Sequence, residues 1–260
     1  MAVPYRSVDP TTGDVVETYA NHTNAEVEAA LVAAQGVYDS AWSKGPIEHR
    51  LETLNRLADR IGERGEDLAR IAVREMGKRI SEARREVDLI AQIARYAAGN
   101  PVLAKHASIV PRCAVAFEEL VRAAGAPNGA WTNIFASPEQ VARLVVDERV
   151  QGVALTGSEN AGSSIASQAG KHLKKSVMEL GGADVFVVLE DADLDKAVSL
   201  GVEARLRGAG QVCNGAKRFL VHERVAEAFL RQFTDRIAST KIGNPMDESV
   251  GLGPLCSASA

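Results

Sequence analysis

Through the first third of the chain, apolar residues recur at helical spacing. A polar, turn-rich stretch over 4–20, punctuated by Asp9-Pro10 and Thr12-Gly13, precedes them. Thr23 with Glu26 three residues on forms a capping box, and Val27, Ala30, Leu31 and Ala34 fall on one face of the helix it opens. Trp42 follows, at a connection containing Gly45-Pro46. A second helix carries Leu51, Leu54, Leu57, Ala58 and Ile61. A third carries Leu68, Ile71, Ala72 and Glu75-Met76 and stops near Gly77. A fourth, with Ser81 as its cap, turns Ala83, Val87, Ile90, Ala91 and Ala94 inward. The spacing predicts a helical layer up to Ala98, with the charged runs Arg60 to Arg64 and Arg84-Arg85-Glu86 as solvated faces.

At Ala98-Gly99-Asn100-Pro101 the pattern changes. Short apolar runs now alternate with helical stretches, which predicts βαβ units and a parallel sheet. Strands are expected at 102–104, 131–135, 150–155, 175–180, 185–189 and 219–221. Helices are expected at 110–124, with Val115, Ala116 and Leu120 inward, from Ser137-Pro138 onward, at 158–169, from Asp193 to about 207, and at 225–237. Residues 238–260 read mostly as loop, and the tail Cys256-Ser-Ala-Ser-Ala260 offers no packing face. The fold class is therefore α/β.

Composition narrows the function classes. With 46% hydrophobic and 25% charged residues in 260, the chain can bury a sizeable core. A net charge of −4 gives no electrostatic reason to expect nucleic acid or an anionic membrane as partner. No apolar run approaches the ~20 residues that span a bilayer, and the start, Met1-Ala-Val-Pro-Tyr-Arg6, has no secretory apolar region. The three cysteines, Cys113, Cys213 and Cys256, are odd in number and lack CxxC spacing. That argues against a disulfide framework or a zinc site and for a reducing, cytoplasmic setting.

The chemistry concentrates in Gly208-Ala-Gly-Gln-Val-Cys-Asn-Gly-Ala-Lys-Arg-Phe219. Gly208, Gly210 and Gly215 remove side chains around Cys213, which leaves its sulfur approachable and its backbone amides free. Upstream, in Val177-Met-Glu-Leu-Gly-Gly182, the acidic Glu179 interrupts an apolar run before two glycines. A thiol and a carboxylate base are the minimum for covalent acyl chemistry. Cys113 sits in a helical apolar pattern and reads as core, and Cys256 lies in the tail. Lys217 is four residues past Cys213. On a helix it would stand near the thiol; otherwise it points to solvent.

Glu179-Leu-Gly-Gly and Gly210-Gln-Val-Cys213 at this separation resemble the aldehyde dehydrogenase superfamily, nearest its succinate-semialdehyde dehydrogenase branch. Lys105-His-Ala-Ser108 and Gly157-Ser-Glu-Asn-Ala-Gly162 are similar to that family's cofactor-binding segments. The resemblance runs from Val8-Asp-Pro-Thr-Thr-Gly13 to Gly253-Pro-Leu255. It implies a helical N-terminal layer with a Rossmann-like parallel sheet, residues 1–180 serving NAD(P) binding and 181–260 opening the catalytic domain. It implies Cys213 as nucleophile and Glu179 as base, with the cofactor held by Lys105, Ser108, Gly157, Ser158, Gly162 and Leu180. The reaction implied is oxidation of an aldehyde, such as succinate semialdehyde, through a thiohemiacetal and a thioester that Glu179-activated water releases.

The turn at Gly157-Ser158 suits a pyrophosphate, because backbone N–H groups open at a helix start. The fourth residue of the lysine segment is Ser108, where an acidic residue would repel a 2′-phosphate, so NADP or mixed use with NAD is expected. His106 reads as an ordinary loop histidine. The sequence departs from the family in two places. It lacks the Trp-Asn-Phe-Pro segment whose asparagine amide helps bind the oxyanion, with an internal deletion near 97–100, and the family continues well past Leu255 into its remaining catalytic and oligomerisation parts. A catalytically inactive remnant and a cofactor-independent thiol esterase are the alternative readings.

Overall fold

Tyr5 anchors the first element. β1 (Tyr5–Val8) and β2 (Val15–Tyr19) form an antiparallel hairpin. The Tyr5 hydroxyl donates to the Ala136 carbonyl at 3.0 Å, and its ring lies 4.6 Å from that of Phe135. The computed structural model describes residues 4–94 and 100–260.

The helical layer follows as α1 (Asn24–Asp39), α2 (Ala41–Lys44), α3 (Glu48–Glu63), α4 (Gly65–Met76) and α5 (Ile80–Ala94). The Thr23–Glu26 capping box is formed as expected. Three details differ from the sequence reading. The fully buried residues of α4 are Ala69, Val73 and Glu75, while Leu68 and Ala72 pack half-buried against the same core. Ser81 does not cap α5, since Glu82 folds back to accept the Arg79 amide and the helix starts at Ile80, two residues before a Ser81 cap would place it. Leu51 and Ile90 lie exposed at the ends of their stripes. The expected transition at 98–99, and the internal break near 97–100 except Asn100, fall outside the described residues.

Beyond Asn100 run β3 (Val102–Ala104), α6 (Pro111–Ala123), β4 (Trp131–Asn133), α7 (Pro138–Val146), β5 (Gly152–Thr156), α8 (Glu159–Lys171), β6 (Lys175–Glu179), β7 (Asp184–Val188), α9 (Leu194–Leu206), a 3₁₀ turn (Arg207–Gly210), β8 (Ala216–Val221) and α10 (Glu223–Ala238). The fold is α/β, and the parallel strands pair within βαβ units: β3 with β4, β5 with β6, β7 with β8. Hydrogen bonding among the described residues leaves these as separate two-stranded pieces.

The main core joins α3, α4, α5 and α6 through Leu57, Ile61, Val73, Ile80, Val87 and Leu120. A second packs Val188, Val198 and Phe229 with the rings of Phe186, Phe219 and Phe233, where α9 and α10 cover one face of β7–β8. Among the described residues, no helix is long and apolar enough to cross a membrane.

Candidate functional site

Two segments converge at the carboxyl end of β6. Glu179 is its last residue, and the Glu179 carbonyl accepts the Gly157 amide at 2.9 Å, which joins the β5 turn to it. Three residues on, Gly182 lies against the cysteine loop: a Cβ added there would sit 2.7 Å from the Cys213 carbonyl oxygen. Only glycine allows that approach. The structure therefore seats the turn that follows Glu179 against the loop that carries Cys213. Both side chains are exposed, so the thiol is open to a reactant.

The loop carrying Cys213 is held from several sides. Gly208, Ala209 and Gly210 all take positive φ, and for Ala209 (φ 56°, ψ 30°) that is a strained geometry. The Gly208 amide donates to the Glu82 carboxylate at 3.3 Å, and Glu82 is itself paired with Arg79 at 2.7 Å. Burial pushes the Glu82 carboxyl up, but the Arg79 hydrogen bond and charge outweigh it and leave the group below its ordinary value. The Gln211 side chain accepts the Cys256 amide at 3.1 Å, so the tail does find a seat, beside the cysteine loop. Among the described residues the Cys213 and Asn214 amides have no acceptor.

Lys217 is not helical. It lies in β8, where Asp184 pairs with Ala216 and Val185 with Arg218, so Lys217 is the extra residue of a β-bulge. Its ammonium donates to the Gly182 carbonyl and, at 3.2 Å, to the Val212 carbonyl.

The turn after β5 has the form expected of an anion site. Ser158 caps α8 through a 3.3 Å bond from the Ala161 amide, and Gly157 through Asn160 are exposed. The first two amides of this 13-residue helix find no protein acceptor among the described residues, so they and the helix dipole suit a pyrophosphate. Gly162 is buried instead: a Cβ there would meet Leu180 Cδ2 at 2.5 Å. Gly162 and Leu180 thus fix how closely α8 lies on the end of β6.

Lys105 and Ser108 follow the carboxyl end of β3, in the separate pair β3–β4. Among the described residues no hydrogen bond or ion pair joins them to the β5–β6 group. The Lys105 ammonium lies 5.6 Å from the centroid of the Tyr5 ring, and desolvation there lowers its pKa. The Ser108 carbonyl accepts the Arg6 amide at 2.9 Å, leaving the hydroxyl as the variable group. His106 is half-buried, its Nδ1 unpartnered among the described residues, and burial lowers its pKa.

Cys113 opens onto an apolar cavity of about 110 Å³ lined by Ile61, Leu68, Val87, Phe117 and Leu120, away from Cys213. A surface hollow of about 400 Å³ between α9 and α10 touches none of the expected site residues. Sequence reasoning missed Gly182 as a contact, Lys217 as a bulge residue and Glu82 altogether. The only advance signal was the adjacency of Gly182 and Lys217 to the two motifs.

Comparison with known proteins gives the chain its relatives. A family model described as "Aldehyde dehydrogenase family" matches residues 2–99 and 94–260. A succinate-semialdehyde dehydrogenase (NADP+) of Deinococcus radiodurans is 34% identical over 309 aligned positions, covering 99% of this chain and 65% of its own length. A succinate semialdehyde dehydrogenase (NAD(P)+) of Escherichia coli K12 is 34% identical, covering 96% of this chain and 65% of its own. The solved succinic semialdehyde dehydrogenase from Streptococcus pyogenes in complex with NADP+ superposes with a TM-score of 0.91 at 35% identity, covering 98% of this chain and 68% of its own. The chain thus spans 65% of the length of these two curated relatives.

Proposed function

The chain belongs to the aldehyde dehydrogenase family, and from that premise we propose that it oxidises an aldehyde to the carboxylic acid, with Cys213 as nucleophile, Glu179 as base and NADP or NAD as cofactor. The observation that carries the reading is the seating of the Cys213 carbonyl on Gly182, three residues from Glu179. The residues divide the work. As thiolate, Cys213 adds to the aldehyde carbon, and the carbonyl π electrons move to oxygen. The unpartnered Cys213 and Asn214 amides are the donors available to that oxyanion in place of the absent Trp-Asn-Phe-Pro asparagine. Glu179 takes the proton of the water that attacks the thioester, the C–S bond breaks with its electron pair staying on sulfur, and the Cys213 thiolate is restored. The cofactor, when bound, supplies a hydride acceptor.

Gly157 and Ser158 would hold its pyrophosphate, and Lys105 and Ser108 its ribose. Ser108 presents no charge against a 2′-phosphate, which favours NADP. Residues 1–180 are the cofactor part and 181–260 the start of the catalytic part. The substrate class is a small aldehyde such as succinate semialdehyde, in line with the names of the curated relatives. No nucleic-acid or membrane partner is proposed.

The test is aldehyde-dependent NADPH and NADH formation by this 260-residue chain, with Cys213→Ala as control. Turnover that the substitution abolishes is expected, faster with NADP. A folded, monodisperse chain with no turnover defeats the proposal for this chain. Cofactor-independent ester hydrolysis lost in Cys213→Ala would replace it with a thiol esterase.

A further inference from the structure

The geometry points to Lys217 as a positioning residue that ties the nucleophile loop to the turn carrying the base. This inference rests on the roles proposed for Cys213 and Glu179. In regular pairing, successive residues of a strand face opposite sides. The bulge at Lys217 breaks that alternation just where β8 leaves the cysteine loop, because Ala216 and Arg218 pair with the consecutive β7 residues Asp184 and Val185. Bulges re-aim a side chain. Here the re-aimed ammonium reaches two backbone carbonyls from different segments, that of Gly182 after the Glu179 strand and that of Val212 immediately before Cys213.

The bond is charge-assisted on the donor side, and an ammonium can satisfy both acceptors at once. Two neighbouring contacts run across the same seam. Arg218 Nε donates to the Ala183 carbonyl at 3.0 Å, and Gly182 touches the Cys213 carbonyl. Without Lys217, the Gly182 carbonyl loses its donor, the Val212 carbonyl keeps only the Gly215 amide at 3.3 Å, and no side chain bridges the two carbonyls. The Glu179 and Cys213 segments then hold their separation less tightly. A misplacement of this kind lowers the rate of the chemical step while leaving cofactor binding, which draws on the α8 turn and Lys105, alone.

The test uses the full chain and three variants. Lys217→Met removes the ammonium and keeps the stem. Lys217→Arg keeps donors for both carbonyls. Gly182→Ala pushes the Cys213 carbonyl away from the other side without touching any charge. Hydrogen exchange at 181–184 and 211–215 reads the tie directly, independently of turnover. It is expected to speed up about tenfold in Lys217→Met and to stay near wild type in Lys217→Arg. In steady-state assays, Lys217→Met and Gly182→Ala are expected to lower kcat by about tenfold to a hundredfold with cofactor KM unchanged, and Lys217→Arg to recover most of it. Unchanged exchange in Lys217→Met overturns the inference. So does a loss that appears in cofactor KM rather than kcat. A wild-type chain without turnover, with the exchange effect present, counts against the dehydrogenase reading and leaves the tie standing.

Discussion

A methyl group at Gly162 would sit 2.5 Å from Leu180 Cδ2 and 3.0 Å from Cδ1, inside van der Waals contact. Gly162→Ala is therefore expected to lower the unfolding free energy by about 1–3 kcal/mol in urea titration. Leu180→Ala in the same chain should return a large part of that loss, because the two side chains compete for one space. The three thiols give a second residue-scale prediction. Burial pushes the Cys113 thiol up, and the neighbouring Glu75 carboxylate adds to the effect, so Cys113 stays protonated at pH 8. Brief iodoacetamide treatment at that pH, read by peptide mass spectrometry, should label the exposed Cys213 and spare Cys113. Equal labelling of both would contradict the placement. Cys213 and Glu179 stood out in the sequence as candidates because glycines strip side chains from around one and apolar neighbours isolate the other. Lys217 was not. Its direction depends on a one-residue slip between two strands distant in sequence, and no local pattern encodes that slip.

Helix starts were legible wherever the cap is local. Thr23, Ser137, Ser158 and Asp193 each accept an amide within three residues, as their positions suggested. The start of α6 is held from another helix and was invisible. Glu75 of α4, only 1% exposed, accepts the Arg112 and Cys113 amides, each at 2.9 Å, at the positive end of α6. Glu75→Ala removes both acceptors and is expected to cost about 2–4 kcal/mol in denaturant. Glu75→Gln, which keeps an acceptor oxygen, should cost less, and equal losses would argue against the cap. The end of α7 carries a pH dependence. The Arg149 hydrogen bond and charge lower the Asp147 carboxyl from 3.8 to about 2. A depressed carboxyl stabilises fully above its ordinary value, and the contribution fades as pH falls through about 2. Wild type should therefore lose more Tm than Asp147→Asn between pH 5 and pH 2.

At the scale of the whole molecule, the α/β character was legible from the switch in period near residue 100, but the division of the strands into pairs was not. Periodicity marks strands and says nothing of which edges meet. That division leaves apolar surface uncovered. Along β7 and β8, Phe186, Val188, Phe219 and Val221 turn toward α9 and α10, while Val185, Val187 and Leu220 alternate to the other face. Val187 and Leu220 are register partners, 54% and 59% exposed, and Val177 on β6 is 60% exposed. A folded sheet rarely leaves such a face, or the edges of two-stranded pieces, open to water. Purified chain is accordingly expected to self-associate with rising concentration in sedimentation velocity. Val187→Lys with Leu220→Lys places charges on the outward positions and leaves the inward packing on α9 and α10 intact. The double variant should sediment as monomer with an unchanged circular dichroism spectrum. If the unsubstituted chain is monomeric across the concentration range, the outward face of β7–β8 is not an association surface, and its apolar residues must be tolerated in water.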